Sequence, residues 1–371
     1  MHTIPTIHEL LSWITMASII ARRTFHSTIL KKNKVTAVFP GQGNVSPHLF
    51  KLTHFQIDVL KNPKYLELIN HAQSIIPEIP LSSYFSKSTY PGKNVTDTQL
   101  SQTSFVQPLV LLASYLNYTI FNDMFEWDVK KSDYILGHSL GELTGLVVQE
   151  AITLEDGLIA AYKRGKLMEE VLMKNEGKEW GMYALMFRER DFESVYKICE
   201  DNLRMNIANV NGYDQIVVSG EIDELRQKLD KLDQIQKELL RLGQWKSRIK
   251  KVKLQTKIPA HHPIFEEMKQ ELRDSIRINL DKLNVPVVCN LNGFVVTTNT
   301  ERVVDNFIDV TSKPVQFVKC LETIKNSNLN ENLKFFNFSD VTYGLTNRFF
   351  KDDKSVEVYD LINEAEKQIV K

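Results

Sequence analysis

The sequence predicts an α/β fold in which a large layered module carries a smaller β-α-β-β-α-β module as an insertion. Three observations predict it. Short apolar or β-branched runs alternate with stretches of helical period, the pattern of a mainly parallel sheet with helices packed on it. Between about Gly181 and Thr256 the style changes to the order of a ferredoxin-like unit. The chain also has 371 residues, more than one simple domain needs.

The elements follow in order. Val35–Phe39 is a β-branched run stopped by Pro40-Gly41-Gln42-Gly43, so it reads as a buried strand entering a tight turn. Helical patterns fill His48 to Ile76, and an apolar helix runs from about Phe105 to Phe125. Asp133–Leu136 is a second short strand, and Leu140–Gln149 a helix. Thr153–Lys174 is the clearest helix, with Thr153 and Asp156 resembling a capping box. On it Arg164 falls roughly 80° from the middle of the apolar stripe, at the edge where a guanidinium can line a cleft. The small module reads as strand Gly181–Phe187, helix Asp191–Asn202, strands Asn206–Val210 and Gln215–Ser219, helix Ile222–Leu242 and strand Val252–Gln255. The basic segment Lys246–Lys253 reads as a solvated face. The large module resumes at the strand Pro286–Asn290 and closes with a helix, Ser355–Val370. The resulting division is 34–178 and 257–371 for the large domain and 179–256 for the small one.

Composition narrows the function. The apolar share of 43% and charged share of 25% are ordinary for a soluble globular enzyme. A formal net charge of zero gives no reason to expect a nucleic-acid partner. Cys199, Cys289 and Cys320 are scattered, which excludes a disulfide framework and a thiolate metal site. Residues 1–33 stand apart: Glu9 is their one acidic residue, against Arg22, Arg23, Lys31 and Lys32. An acid-poor, Arg-bearing, hydroxyl-rich start reads as a mitochondrial transit peptide, with the mature chain beginning near Asn33. The apolar run Leu10–Ile20 is too short for stable membrane insertion.

The chemistry centres on "YILGHSLGELTGLVVQ", Tyr134 to Gln149. G-x-S-x-G between a strand and a helix presents a serine hydroxyl on a sharp turn, beneath the positive end of the helix dipole. Ser139 is therefore a candidate nucleophile, and the competing reading is a serine that only caps the helix. A serine needs a base. His138 neighbours Ser139 in sequence and diverges from it, whereas His261 in "TKIPAHHPIF" sits at the domain junction, a natural cleft wall. The residues alone leave His261 open between a base and a packed histidine. The N–H of Leu140 and that of Gln42, in "FPGQG", are candidate oxyanion donors.

Taken together, "FPGQG", "TSFVQPLVLLAS", "GHSLGE", "AAYKRGKLMEE", "NIANVNG", "IPAHH" and "KPVQF", in this order, resemble the malonyl-CoA:acyl carrier protein transacylase family, in its mitochondrial branch. The resemblance implies a hydrolase-like large α/β domain with a ferredoxin-like insertion. It implies that Ser139 accepts the acyl group, that His261 and not His262 is the base, and that Arg164 binds the malonyl carboxylate. Gln107 would line the pocket, Gln42 and Leu140 would supply oxyanion N–H groups, and Gln316 would orient His261 through its backbone carbonyl. Malonyl-CoA and acyl carrier protein would be the partners of a monomeric matrix enzyme of fatty acid synthesis with no metal or redox cofactor. Three departures stand out: "FNFSDVTYGLTNRF" replaces the family's Gly-Pro-Gly turn, the second helix of the small module is extended, and Ala260 precedes His261. The rival reading is a serine esterase or thioesterase, which would use an Asp or Glu between Ser139 and His261.

Overall fold

The structure, a computed structural model, describes residues 33–43, 62–85, 97–245, 248–277 and 283–361. The expected transit peptide, the helical pattern before Asn62 and the chain after Leu361 lie outside the described residues. Strands β1 (Asn33–Phe39) and β2 (Tyr134–Gly137) belong to the large sheet. Strands β3 (Trp180–Met186), β4 (Ile207–Gly212), β5 (Gln215–Glu221) and β6 (Lys250–Lys253) form the small one. Strands β7 (Val287–Val288), β8 (Val295–Val296), β9 (Asn332–Asn337) and β10 (Val356–Asp360) complete the large sheet. The principal helices are α1 (Pro63–Ile75), α2 (Thr103–Phe125), α3 (Gly141–Val148), α4 (Leu154–Met173), α5 (Phe192–Leu203), α6 (Ile222–Arg241), α7 (Thr300–Val310), α8 (Phe317–Asn326) and α9 (Asp340–Phe349).

The large sheet runs β10-β9-β1-β2-β7-β8, parallel except for the β7–β8 edge pair. It is buried on both faces, as a parallel sheet must be. Ala37, Phe39, Ile135 and Val287 face a core built with α2, α3, α4 and α7. Their strand neighbours Val38, Leu136 and Val288 face a second core containing residues of α8 and α9. The alternation of strand side chains explains why β1 and β2 read as continuous apolar runs. Helix α2 is long and apolar enough to cross a membrane, but 83% of its apolar window is buried inside the protein.

The small sheet is antiparallel in the order β4-β5-β3-β6, the strand order of a ferredoxin-like module. One face packs on α5 and α6 through Leu185, Ile216, Val218, Leu225 and Leu229. The other, with Met182, Ala184, Ala208 and Val217, turns toward Ala260 and the large domain. Backbone bonds from Val210 N to Val315 O (2.8 Å) and from Val315 N to Ala208 O (2.9 Å) fasten β4 to the large domain.

One expectation is corrected here. Residues 356–360 form strand β10, paired in parallel with β9, and not the start of a helix from Ser355 to Val370. In "SVEVYD" Val356, Val358 and Asp360 alternate with period two, and the edge of the sheet supplies the pairing that favours extended chain. Strand β9 itself, Asn332–Asn337, carries no period that distinguishes it beforehand, being buried throughout but for its first residue.

Candidate active site

The G-x-S-x-G turn is held by close backbone approach. A Cβ on Gly137 would lie 2.0 Å from the Glu142 nitrogen, and one on Gly141 would lie 2.2 Å from the Phe39 carbonyl oxygen. Neither position accepts any other residue, because β2 must turn into α3 while packing against the end of β1. Between them Ser139 has φ of 52°, in the left-handed region that costs a non-glycine residue about 1–3 kcal/mol. Among the described residues four non-glycine residues have positive φ, and His261 (61°) is another of them. Strain is thus placed on both candidate catalytic side chains.

What holds Ser139 there is a residue the sequence did not single out. The Asn290 side chain accepts from the Ser139 N–H (2.6 Å) and donates to the Gly137 carbonyl (2.7 Å), so it clamps both sides of the turn. Its own N–H donates to Glu142 Oε1 (2.7 Å) and its carbonyl accepts from Gln316 N (2.7 Å). Burial pushes the Glu142 carboxyl up to about 8, although the Asn290 N–H and nearby Arg164 pull the other way. Asn290→Ala is expected to lower kcat about 10- to 100-fold with little change in KM, since the turn relaxes while the cleft persists. Unchanged kcat in steady-state assays would remove Asn290 from this role.

Ser139, His138, Gln42, Arg164 and His261 line one cleft of about 430 Å³ between the two sheets. Met182, Ala184 and Val217 of the small sheet form its opposite wall, and α9 contributes Asp340, Thr342 and Arg348 to its rim. The stretch that replaces the Gly-Pro-Gly turn therefore reaches the cleft as the first turns of a helix.

His261 is buried, and its Nδ1 lies 2.5 Å from the carbonyl oxygen of Val310. A carbonyl only accepts, so Nδ1 carries the proton and Nε2 offers a lone pair. This corrects the expectation for Gln316: the orienting carbonyl is that of Val310, at the end of α7. The Gln316 carbonyl instead accepts from Cys320 N (3.2 Å) in the first turn of α8. His262 lies elsewhere, accepting from Ile264 N (3.2 Å) and packing edge-on to Trp180. His138 bonds Asn211 Oδ1 through Nε2 (2.8 Å) and packs on Phe317, bridging the turn to β4.

Burial first, and then the Arg164 charge, pull the His261 pKa down to about 3. The imidazole is therefore neutral and able to take a proton across the physiological range. Its depressed pKa makes the basic form, and the stability it contributes, fully present above the unfolded value near 6.5. Both are lost as pH falls toward about 3. Accordingly, kcat/KM for acyl loading should change less than about twofold between pH 7 and pH 5, where an ordinary histidine would cost about 25-fold. A pH profile with an acid limb near 6.5 in kcat/KM would contradict this assignment.

Arg164 is deeper than its helix position suggested, at 2% exposure. Gly165 beside it lets α4 press on the start of α2, where a Cβ would lie 2.5 Å from the Thr103 carbonyl oxygen. The guanidinium is held at three points. Nε donates to Thr311 Oγ1 (3.2 Å), Nη1 donates to Gln107 Oε1 (3.0 Å), and Cζ lies 5.3 Å from the centre of the Phe307 ring. Among the described residues Nη2 has no hydrogen-bond partner. Burial lowers the Arg164 pKa to about 10, with Glu142 opposing, so the group stays charged at pH 7. Gln107 is also corrected: it is fully buried and stands behind Arg164, its Nε2 donating to Thr103 Oγ1 (3.2 Å), and is not part of the cleft lining. Thr103 in turn donates to Gln42 Oε1 (2.6 Å), which ties the "FPGQG" turn to the same network. The backbone N–H groups of Leu140 and Gln42 make no hydrogen bond among the described residues, while that of Ser139 is taken by Asn290.

A strained serine, a neutral histidine with its lone pair free and a buried cation in one cleft can carry out acyl transfer from a substrate with an anionic end. Comparisons with known proteins agree with that class. The fold is shared with a malonyl-CoA:acyl carrier protein transacylase from Xanthomonas oryzae (TM-score 0.70, 22% identity, 91% of this chain and 97% of that one). The corresponding Helicobacter pylori structure gives a TM-score of 0.68 at 21% identity, over 91% and 99% of the two chains. In sequence, the chain is 25% identical over 302 residues to the malonyl CoA-acyl carrier protein transacylase of Staphylococcus aureus strain MSSA476, covering 78% of this chain and 84% of that protein. It is 31% identical over 218 residues to the mitochondrial malonyl CoA-acyl carrier protein transacylase of Saccharomyces cerevisiae, covering 52% and 58%. The acyl transferase domain family matches residues 34–333, and the chain belongs to that family.

Proposed function

We propose that this acyltransferase moves the malonyl group of malonyl-CoA onto the phosphopantetheine thiol of acyl carrier protein, in type II fatty acid synthesis of the mitochondrial matrix. The observation that carries the reading is Arg164: a buried, charged guanidinium in the cleft with no carboxylate bonded to it and a partnerless Nη2 among the described residues. A guanidinium nitrogen left without a partner suits a carboxylate, and a buried cation left unpaired disfavours acyl groups that lack one. The substrates named for the Staphylococcus and yeast relatives support the choice of malonyl. The yeast name and the acid-poor residues 1–33 support the compartment.

Two half-reactions follow. Ser139 Oγ attacks the thioester carbonyl of malonyl-CoA while His261 Nε2 takes its proton. The oxyanion gathers at the Leu140 and Gln42 N–H groups. Collapse breaks the C–S bond, His261 returns the proton to the coenzyme A sulfur, and a malonyl ester remains on Ser139. The carrier-protein thiol then gives its proton to His261 and attacks the ester, and Ser139 leaves with that proton. Val310 keeps His261 in the tautomer both steps require.

Intact-mass spectrometry of the purified protein after malonyl-CoA is the test. A stable malonyl adduct that disappears when holo carrier protein is added supports the transferase. Hydrolysis of malonyl-CoA without an adduct or transfer would favour the thioesterase reading instead.

A further inference from the structure

We infer that Thr311 is a specificity-determining positioning residue that aims the Arg164 fork. The inference rests on the proposed carboxylate role of Arg164. Thr311 follows α7, is fully buried, and its hydroxyl is used twice. It donates to the Phe307 carbonyl (3.3 Å), which directs an oxygen lone pair toward the Arg164 Nε–H at 3.2 Å. With Nε held by Thr311 and Nη1 by Gln107, the guanidinium plane has one orientation, and Nη2 is left for the substrate. The preceding residue, Val310, gives its carbonyl to His261. Two consecutive residues of one helix end therefore set the spacing between the base and the carboxylate clamp. Acyl groups without a carboxylate use only half of this arrangement.

Thr311→Val keeps the shape and removes the acceptor, freeing Arg164 to turn about its stem. Thr311→Ser keeps the hydroxyl. Acyl loading by full-length protein is measured with malonyl-CoA and with acetyl-CoA for both variants, beside Arg164→Ala. In Thr311→Val the KM for malonyl-CoA should rise about tenfold, with acetyl loading changed less than about twofold. Thr311→Ser should stay within about twofold of the parent for malonyl. Equal losses for both acyl groups in Thr311→Val, unrescued in Thr311→Ser, would reduce Thr311 to a packing residue and overturn the inference. An unchanged malonyl KM in Thr311→Val, with malonyl selectivity lost in Arg164→Ala, would overturn it while leaving the proposed function standing. Loss of both acyl groups alike in Arg164→Ala would remove the carboxylate role, and this inference with it.

Discussion

Ser139→Ala is expected to abolish the malonyl adduct and to lower transfer by at least about 10⁴-fold, the scale seen when an enzyme loses its covalent nucleophile. Thr256 and Thr342 also line the cleft, but neither sits on the strained turn between β2 and α3. An adduct that survives in Ser139→Ala would move the acylation site elsewhere. The backbone makes a second, independent demand. Ser139 holds φ of 52°, a conformation in which glycine carries no Cβ penalty. Ser139→Gly should therefore be as inactive as Ser139→Ala and yet unfold at a temperature no lower. Such a pairing separates strain kept for chemistry from strain kept for folding.

Arg164→Ala should lower malonyl transfer by about 10²–10³-fold while acetyl transfer holds or rises. Malonyl loses a charge-assisted pair formed out of water. Acetyl loses nothing, and is relieved of leaving a buried cation unpaired. The ratio of the two rates, measured by loading from each coenzyme A ester, is independent of any fall in stability from the cavity the truncation leaves. Equal losses would eliminate the carboxylate role. Because Arg164 also holds the His261 pKa down, a carboxylate bound at Arg164 offsets that effect and the imidazole becomes more basic in the complex. The acid limb of kcat should then lie at higher pH than that of kcat/KM, and a reversed order would contradict the coupling.

Features that depend on residues close in the chain were legible beforehand. The Thr153 hydroxyl accepts from Asp156 N (3.0 Å) as the helix-start pattern required, because both partners lie within one turn. The turn around Ser139 was legible for the same reason: glycines two residues either side of a serine, between a strand and a helix, leave the backbone few other courses. The small module was readable from element order alone, since a β-α-β-β-α-β chain has few ways to cover one sheet face with two helices.

Misreadings came where a local pattern admits two outcomes or where the partner is distant. Residues 356–360 suit a helix or an edge strand, and only the exposed edge of β9 decides between them. Asn290 meets Ser139 across 151 residues of chain, Thr311 meets Arg164 across 147, and Val310 meets His261 across 49. Gln316 and Val310 lie on the same connection at the end of α7, and only the packing of that connection against His261 determines whose carbonyl faces the ring. By itself, then, the sequence determined which groups could do chemistry: a serine on a constrained turn, a histidine at a domain junction and an arginine on a mostly apolar helix face. The tertiary structure decided which backbone carbonyl sets the histidine tautomer, which hydroxyl and amide aim the arginine, and which asparagine holds the strained serine. Hydrogen bonds of that kind depend on ångström-scale placement of segments far apart in the chain, and no periodicity within either segment encodes the distance between them.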